Sequence, residues 1–590
     1  MASIPGFESV EGMKRNHPYF DLTTRKFSPV KRARFHGGVP ILYDAEARRL
    51  YIDPTDTHCL VYGSTGSLKT RAIVSPTIKV LGYAGESCII NDPKGELFTR
   101  HAGDLKRQGF RIVEINYRNP AVGNSWNPLH IPYQFYLHND LDKASEFIND
   151  IAINLMLNER STDDPFFDYS AADLFYGLTQ LLFRYCRDHD APPQAVHIGN
   201  LMALRQTLFS GPRAARDSML WKYASEDELT ASSLSGTVYA PKDTMNSILS
   251  VFDQKMRSFT IQPTLLDMLA NNDFDIADVC REKTAVFLIT PDEKTSYHRL
   301  VSTFIKESYE YIIYIASQSE ENRVANRINY ILDEFSSLPK IADMPSMISA
   351  ARSRDIRFLL VAQSQSSLKK RYGDEAETII SNCTNWIFFT SRELNLLNEL
   401  SELCGKQKNH QPNISVYELQ HLSKDRREAL VLSGRLKPAL VSMLDIDRFG
   451  DSSYYALEHA RLERLPRERL TFELNEEIRR RYAPPPDSFG MHGSNIDLDK
   501  MMRDIDKKIA ELDAEEARQK ALEEQKKKGK AQKAPKKDAS RSQKKNEPTA
   551  DLPLLPDSDS MIPSMHMAVY EKIPEGLPFP DDFDSATKGE

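Results

Sequence analysis

Cysteine is scarce in this sequence. There are six in 590 residues, at Cys59, Cys88, Cys186, Cys280, Cys383 and Cys404, with no CxxC pair and no Cys/His cluster. That scatter argues against a disulfide framework or a structural zinc and fits a reducing compartment. Long apolar runs are also missing: the richest windows, AVFLIT (285–290) and FLLVAQ (358–363), are strand-length, far short of the roughly 18–20 residues that span a bilayer. The first twenty residues lack the apolar stretch of a secretory signal, so a soluble, cytoplasmic chain is expected. Nor is there a basic excess. Lys and Arg total 77 against 84 Asp and Glu, a net charge of −7, which excludes a histone-like protein held to nucleic acid by overall charge. No internal repeat is evident.

What is present supports a folded chain. Apolar residues make up 40% and charged residues 27%, enough to bury a core. At about 150 residues per domain the length allows three or four domains, or one large elaborated one. Short apolar runs at 58–63, 87–92, 111–116, 284–290, 329–335, 357–364 and 385–391 are each followed by helix-compatible sequence. They run apolar without alternation, as strands buried on both faces do, so the expected fold class is α/β with a mainly parallel sheet.

Other segments differ. Residues 1–38 read as an N-terminal segment with a basic cluster, KFSPVKRARFHGG, and 39–53 as two strands around a polar turn. Residues 39–137 form the first part of the sheet domain and 266–484 the second. Between them, 138–265 carry long helical patterns such as SAADLFYGLTQLLFRYCRDH and read as an all-α inserted domain. Residues 429–444 resemble a closing hairpin turning at Ser433-Gly434-Arg435. Residues 485–524 read as a charged helix. Residues 525–590 read as a disordered tail, with ten Lys/Arg and one Asp over 525–545 and nine Asp/Glu against two Lys over 551–590.

The first chemical motif is Gly63-Ser64-Thr65-Gly66-Ser67-Leu68-Lys69-Thr70, directly after a strand and before a helix. That is the setting of a phosphate-binding P-loop, whose inward N–H groups and helix N-terminus hold an anion. Lys69 is placed to reach the β- and γ-phosphates, and the Thr70 hydroxyl to bind Mg²⁺. Leu68 stands where the pattern wants glycine, so a side chain there crowds the loop or hinders a glycine-like backbone.

The second is a strand ending in Asp333-Glu334. Packing gives a buried strand no reason to end in two carboxylates. In a P-loop ATPase the first holds Mg²⁺ and the second polarises the attacking water. Asp333 is assigned the metal role and Glu334 the base. Gln363, ending a further strand, is a candidate sensor of the γ-phosphate. Arg352 and Arg354, in ISAARSRDIR, are candidates for an arginine supplied to a neighbouring subunit's site.

Taken together, GSTGSLKTRAIVSPTI, INDPKGELF (90–98), SWNPL (125–129), DPFFDYSAADL (164–174), NYILDEFSSLPKI and VAQSQSSLKKRYG resemble the type IV secretion coupling proteins, the TraG/TraD-like conjugative ATPases. The likeness covers residues about 35–450. It implies a RecA-like P-loop NTPase domain carrying an all-α domain, assembled as a homo-hexamer. It also implies ATP-driven delivery of a relaxase–DNA complex to a secretion channel, with ATP and Mg²⁺ at Gly63–Thr70, Asp333 and Glu334. Asp92 and Lys94, within NDPKGEL, sit at a strand's C-terminal end, where α/β ligand sites form. DNA gripped without regard to sequence, relaxosome proteins and channel proteins are the implied partners. Many members of the family begin with transmembrane helices. Here either a membrane-anchoring partner recruits the chain to the inner face of the plasma membrane, or the chain belongs to a soluble branch. The alternative function is a nucleotide-gated docking adaptor that hydrolyses little because of Leu68.

Overall fold

The computed structural model describes residues 6–29, 36–157, 165–210, 215–291, 293, 297–450, 467 and 469–471. The charged helix and the tail expected beyond residue 485 lie outside these.

Thirteen strands form two sheets among the described residues. The smaller is antiparallel, in the order β2-β1-β4-β3, from Tyr19–Asp21 (β1), Lys26–Phe27 (β2), Val39–Asp44 (β3) and Arg49–Asp53 (β4). Its β1 pairs with β4, Phe20 facing Leu50. This sheet therefore draws on both sides of residue 38, and β1 pairs directly with the hairpin that follows. Strands of three and two residues are too short to carry an alternation that a sequence pattern can reveal.

The larger sheet has nine strands: Cys59–Tyr62 (β5), Ser87–Asp92 (β6), Arg111–Asn116 (β7), Thr284–Ile289 (β8), Ile328–Leu332 (β9), Ile356–Ala362 (β10), Asn385–Phe388 (β11), Glu428–Ser433 (β12) and Ala439–Ser442 (β13). Their order is β13-β12-β11-β5-β10-β9-β6-β8-β7. Every pair from β11 to β7 is parallel, and β12 and β13 add an antiparallel edge. The turn between β12 and β13 is wider than the sequence suggests, spanning 434–438. Strands β5, β6, β8, β9 and β10 are buried along their whole length, as a sheet covered on both faces requires.

Between β7 and β8 the described chain runs only through helices, from His130–Leu137 to Asp278–Arg281. The longest, Phe166–Asp188, is buried on all sides from Gly177 to Cys186. Leu141–Met156 packs against His298–Ser317, the helix after β8, and so joins the helical part to the sheet. No helix among the described residues is long and apolar enough to cross a membrane.

A buried ionic network ties the two sheets at the N-terminal ends of the parallel strands. Glu86 accepts from Arg327 Nε at 2.8 Å and Nη2 at 3.0 Å, and from Gly37 N at 2.7 Å. Arg327 donates onward to the carbonyls of Gly37 (2.6 Å) and Pro54 (2.8 Å). Arg357 donates to Asn329 Oδ1 at 2.9 Å and Thr55 O at 3.2 Å. Glu86, Arg327 and Arg357 are each at most 2% exposed, so removing the Glu86 charge breaks the ion pairs it makes with two buried guanidiniums. Glu86→Gln is expected to cost about 3–5 kcal/mol, read as a lowered denaturation midpoint. Glu11→Gln, which removes an exposed pair with Lys14, should barely move it.

Candidate functional site

The register carries the motif residues to one edge. In the β5–β10 pairing Tyr62 faces Ala362, and in the β10–β9 pairing Leu360 faces Leu332. Gly63, Gln363 and Asp333 therefore all leave the sheet at its C-terminal edge, where α/β sites form. On the far side of β9, Asn91 of β6 faces Leu332.

The loop itself is tightly built. A Cβ on Gly63 would lie 2.4 Å from Ser67 Oγ and 3.2 Å from Ser67 Cβ, so a larger residue would have to push the Ser67 side chain aside. Gly66 sits at φ +77°. Ser64 N donates to Thr390 O at 2.8 Å, pinning the loop to the end of β11. The first helical turn, Thr70–Val74, is a π-turn that runs into the helix Ser75–Ala84. Leu68 adopts φ +69° and is half-buried. It takes the left-handed backbone that glycine would supply, at a cost of about 1–2 kcal/mol.

Lys69 is buried, and its ammonium donates to Gly63 O at 2.5 Å and Ser64 O at 3.1 Å. Burial lowers its pKa, while Asp333 and Glu334 pull it the other way. Thr70 Oγ1 donates to Asp333 Oδ2 at 2.9 Å, closing a contact between segments 263 positions apart. Asp333 is 6% exposed. Burial pushes its carboxyl up to about 6; the neighbouring Glu334 charge adds to this and the Thr70 hydroxyl opposes it. Asn91 Nδ2 donates to Asp333 O at 2.7 Å. Glu334 is half-buried at φ +54°, a strained placement of the kind that collects at working sites.

A small cavity of about 40 Å³ lies between Thr70, Asp92, Pro93, Lys94, Glu96, Asp333 and Glu334. Asp92 accepts from Phe98 N at 2.8 Å, and burial raises its pKa to about 6. On the other flank of the loop a cavity of about 210 Å³ is lined by Ser64–Ser67 with Phe389, Thr390, Leu422, Lys424 and Arg427. A cavity of about 910 Å³ lies elsewhere, against Asn154, Arg299, Ser337, Lys340, Asp343 and Arg371; it does not include the loop.

The structure thus gathers Gly63, Ser64, Thr65, Gly66, Ser67, Leu68, Lys69, Thr70, Asp333 and Glu334. Gln363 stands at the same edge, exposed, just past the strand that separates β5 from β9. Arg352 and Arg354 do not join this group. They precede β10 and sit at the opposite edge, roughly 20 Å away along a seven-residue strand. Arg352 pairs there with Asp56 at 2.9 Å, and Arg354 donates to Ser353 Oγ. Sequence reasoning missed Asn91 and Arg71. The latter donates to Asp445 Oδ1 at 2.7 Å and also pairs with Asp447, anchoring the loop's helix beside β13. Nothing near Arg71 in the chain signals partners so far downstream.

Two features fit a triphosphate with a divalent cation. Ser67 Oγ is buried and makes no hydrogen bond, and the hydroxyl–carboxylate pair Thr70–Asp333 offers hard oxygen donors of the kind Mg²⁺ takes.

Comparison with known proteins agrees with this architecture. The family profile described as type IV secretory system conjugative DNA transfer matches residues 24–442. Two conjugal transfer proteins named TraG, both from Escherichia coli, are 22% identical over 438 and 413 residues. The alignments cover 71% and 67% of this chain but 64% and 62% of the relatives, so the chain spans less than two thirds of their length. Among solved structures, the bacterial conjugative coupling protein TrwBdeltaN70 with sulphate and the plasmid coupling protein TrwB with ADP and Mg²⁺ superpose with TM-scores of 0.51 at 15% identity. Each match covers 71% of this chain and 96% of the other. At that identity the likeness establishes a shared fold, RecA-like with a mostly parallel sheet.

Because Leu68 already holds the left-handed backbone, Leu68→Gly relieves only about 1–2 kcal/mol. Nucleotide affinity is expected to change by less than about thirtyfold, as measured by titration of both proteins.

Proposed function

Since this chain belongs to the type IV secretory system conjugative DNA transfer family, we propose that it is an ATP-driven coupling protein that recruits a relaxase–DNA complex and delivers DNA to a secretion channel. The observation that carries the reading is the Thr70–Asp333 contact, which joins the phosphate loop to the acidic strand end. In the working assembly, a homo-hexamer, Arg352 or Arg354 of one copy serves the site of the next. This suits their place at the edge away from their own loop. Gln363 senses the γ-phosphate from the strand between the loop and the acids. DNA is gripped through its phosphates without regard to sequence, and relaxosome and channel proteins are the protein partners. A membrane protein holds the complex at the inner face of the plasma membrane.

The chemistry follows from the residues present. Loop N–H groups and Lys69 bind the β- and γ-phosphates, Lys69 exchanging the carbonyls of Gly63 and Ser64 for phosphate oxygens. Thr70 and Asp333 would hold Mg²⁺, which when bound would supply charge neutralisation at the phosphates. Glu334 orients a water molecule and accepts its proton. The cavity beside Phe389 and Leu422 receives the nucleoside.

Lys69→Ala is expected to abolish nucleotide binding. Glu334→Gln should retain binding but lose about 10²–10⁴-fold in turnover. Both are read from ATP hydrolysis with and without DNA; robust hydrolysis in both variants would remove the assigned site. If the wild type binds nucleotide without measurable turnover and Leu68→Gly restores hydrolysis, the docking-adaptor reading takes its place.

The raised carboxyl of Asp333 sets a pH dependence. With the folded-state value near 6, Asp333 is ionised at pH 7 and takes up a proton as pH falls through 6. Mg²⁺–nucleotide affinity should then drop by up to about tenfold per pH unit below 6. Stability of the nucleotide-free chain has the opposite sign. The upward shifts of Asp333 and Asp92 stabilise the fold fully only below the unfolded value near 3.8, and that stability is lost as pH rises through about 6. Calorimetric titration and thermal melts between pH 5 and 7 test both trends.

A further inference from the structure

Building on the nucleotide reading of the site, we propose that Lys94 is a further catalytic residue, whose ammonium contacts the γ-phosphate from the β6 side. The β6–β9 register sets Asn91 against Leu332, so the turn after β6 lies beside Asp333 and Glu334. That turn is held from several directions. The Asp92 carboxylate, 1% exposed, accepts from Phe98 N at 2.8 Å. Pro93 fixes its own φ. Gly95 takes φ +75°, and a Cβ there would meet Ile289 at 3.4 Å. Asn91 ties the same strand end to the Asp333 carbonyl.

This braced turn presents an exposed lysine to the 40 Å³ cavity. Four carboxyl side chains line that cavity, those of Asp92, Glu96, Asp333 and Glu334, and Lys94 is the only cation among its lining residues. No hydrogen bond or ion pair among the described residues holds the Lys94 ammonium, although the carboxylates of Glu96 and Glu334 line the same space. A triphosphate terminus entering a cavity with this excess of negative charge needs positive charge at its own oxygens. Lys69 is directed to the loop carbonyls on the β5 side, which leaves Lys94 to serve the β6 side. A cation preset at the transferred phosphoryl group stabilises the charge that develops there.

The test compares the full-length wild type with Lys94→Ala and Lys94→Arg, each titrated with Mg²⁺–ADP and with a Mg²⁺-bound non-hydrolysable ATP analogue. Loss of a charged contact to the γ-phosphate predicts about tenfold weaker binding of the analogue in Lys94→Ala, unchanged ADP binding and partial recovery in Lys94→Arg. Turnover should fall with the analogue's affinity. An unchanged ratio of analogue to ADP affinity in Lys94→Ala overturns the contact, even if turnover drops, because Lys94 would then act only through Glu334. If the wild type binds neither nucleotide, the reading of the whole site falls and Lys94 with it. If it binds both and the ratio survives the substitution, only Lys94 is lost.

Discussion

One hydrogen bond organises this protein: Thr70 Oγ1 to Asp333 Oδ2, 2.9 Å long and 263 positions apart in the chain. It exists because β10 lies between the strand that feeds the loop and the strand that ends in the acids, so both leave the sheet at one edge. It tolerates the burial of Asp333 because the hydroxyl and the Glu334 amide, which donates to Asp333 Oδ1 at 3.1 Å, supply partners that the carboxylate would otherwise lack. Lys69, Asn91 and the turn at Asp92–Gly95 are arranged around it.

The rest of the fold holds that edge still while linking it to the helical part. At the opposite edge the Glu86–Arg327–Arg357 network locks the strand starts to the smaller sheet. Near the site, Ser337 Oγ donates to Glu334 O at 2.7 Å. Six residues later Asp343 pairs with Lys306 at 2.9 Å, and Lys306 also meets Asp150 of the helical part at 3.3 Å. The segment following the acids is thus physically continuous with the helix Leu141–Met156. Burial raises the Asp150 carboxyl to about 6 despite the nearby Lys306 ammonium.

Leu68 shows what a sequence exception looks like once folded. The pattern gives two grounds for concern, crowding of the loop and an unfavourable backbone. The backbone one is real, since the residue sits at φ +69°, yet the chain accepts that conformation, as it does at Glu334 and Asp343. A strain of this size is small beside the buried contacts around the loop. It can persist because Thr390 and the Gly63–Ser67 approach over-determine the loop's shape.

The seven strands of the parallel run, β5 to β11, and the residues at their ends were legible in the sequence. Their apolar runs have no alternation, and a glycine-rich loop or paired acids just past such ends are not what packing calls for. β1 and β2 were not legible, because two or three residues carry no period. The chain by itself singled out the loop and the acids that meet at one edge of the sheet and the kind of fold that holds them, since both depend on local pattern and spacing. Tertiary structure alone decided that Asn91 and Arg71 brace the site, that Lys94 shares its cavity and that Arg352 and Arg354 stand at the far edge. Those placements depend on strand order and register, which are set by long-range packing that no local stretch of residues encodes.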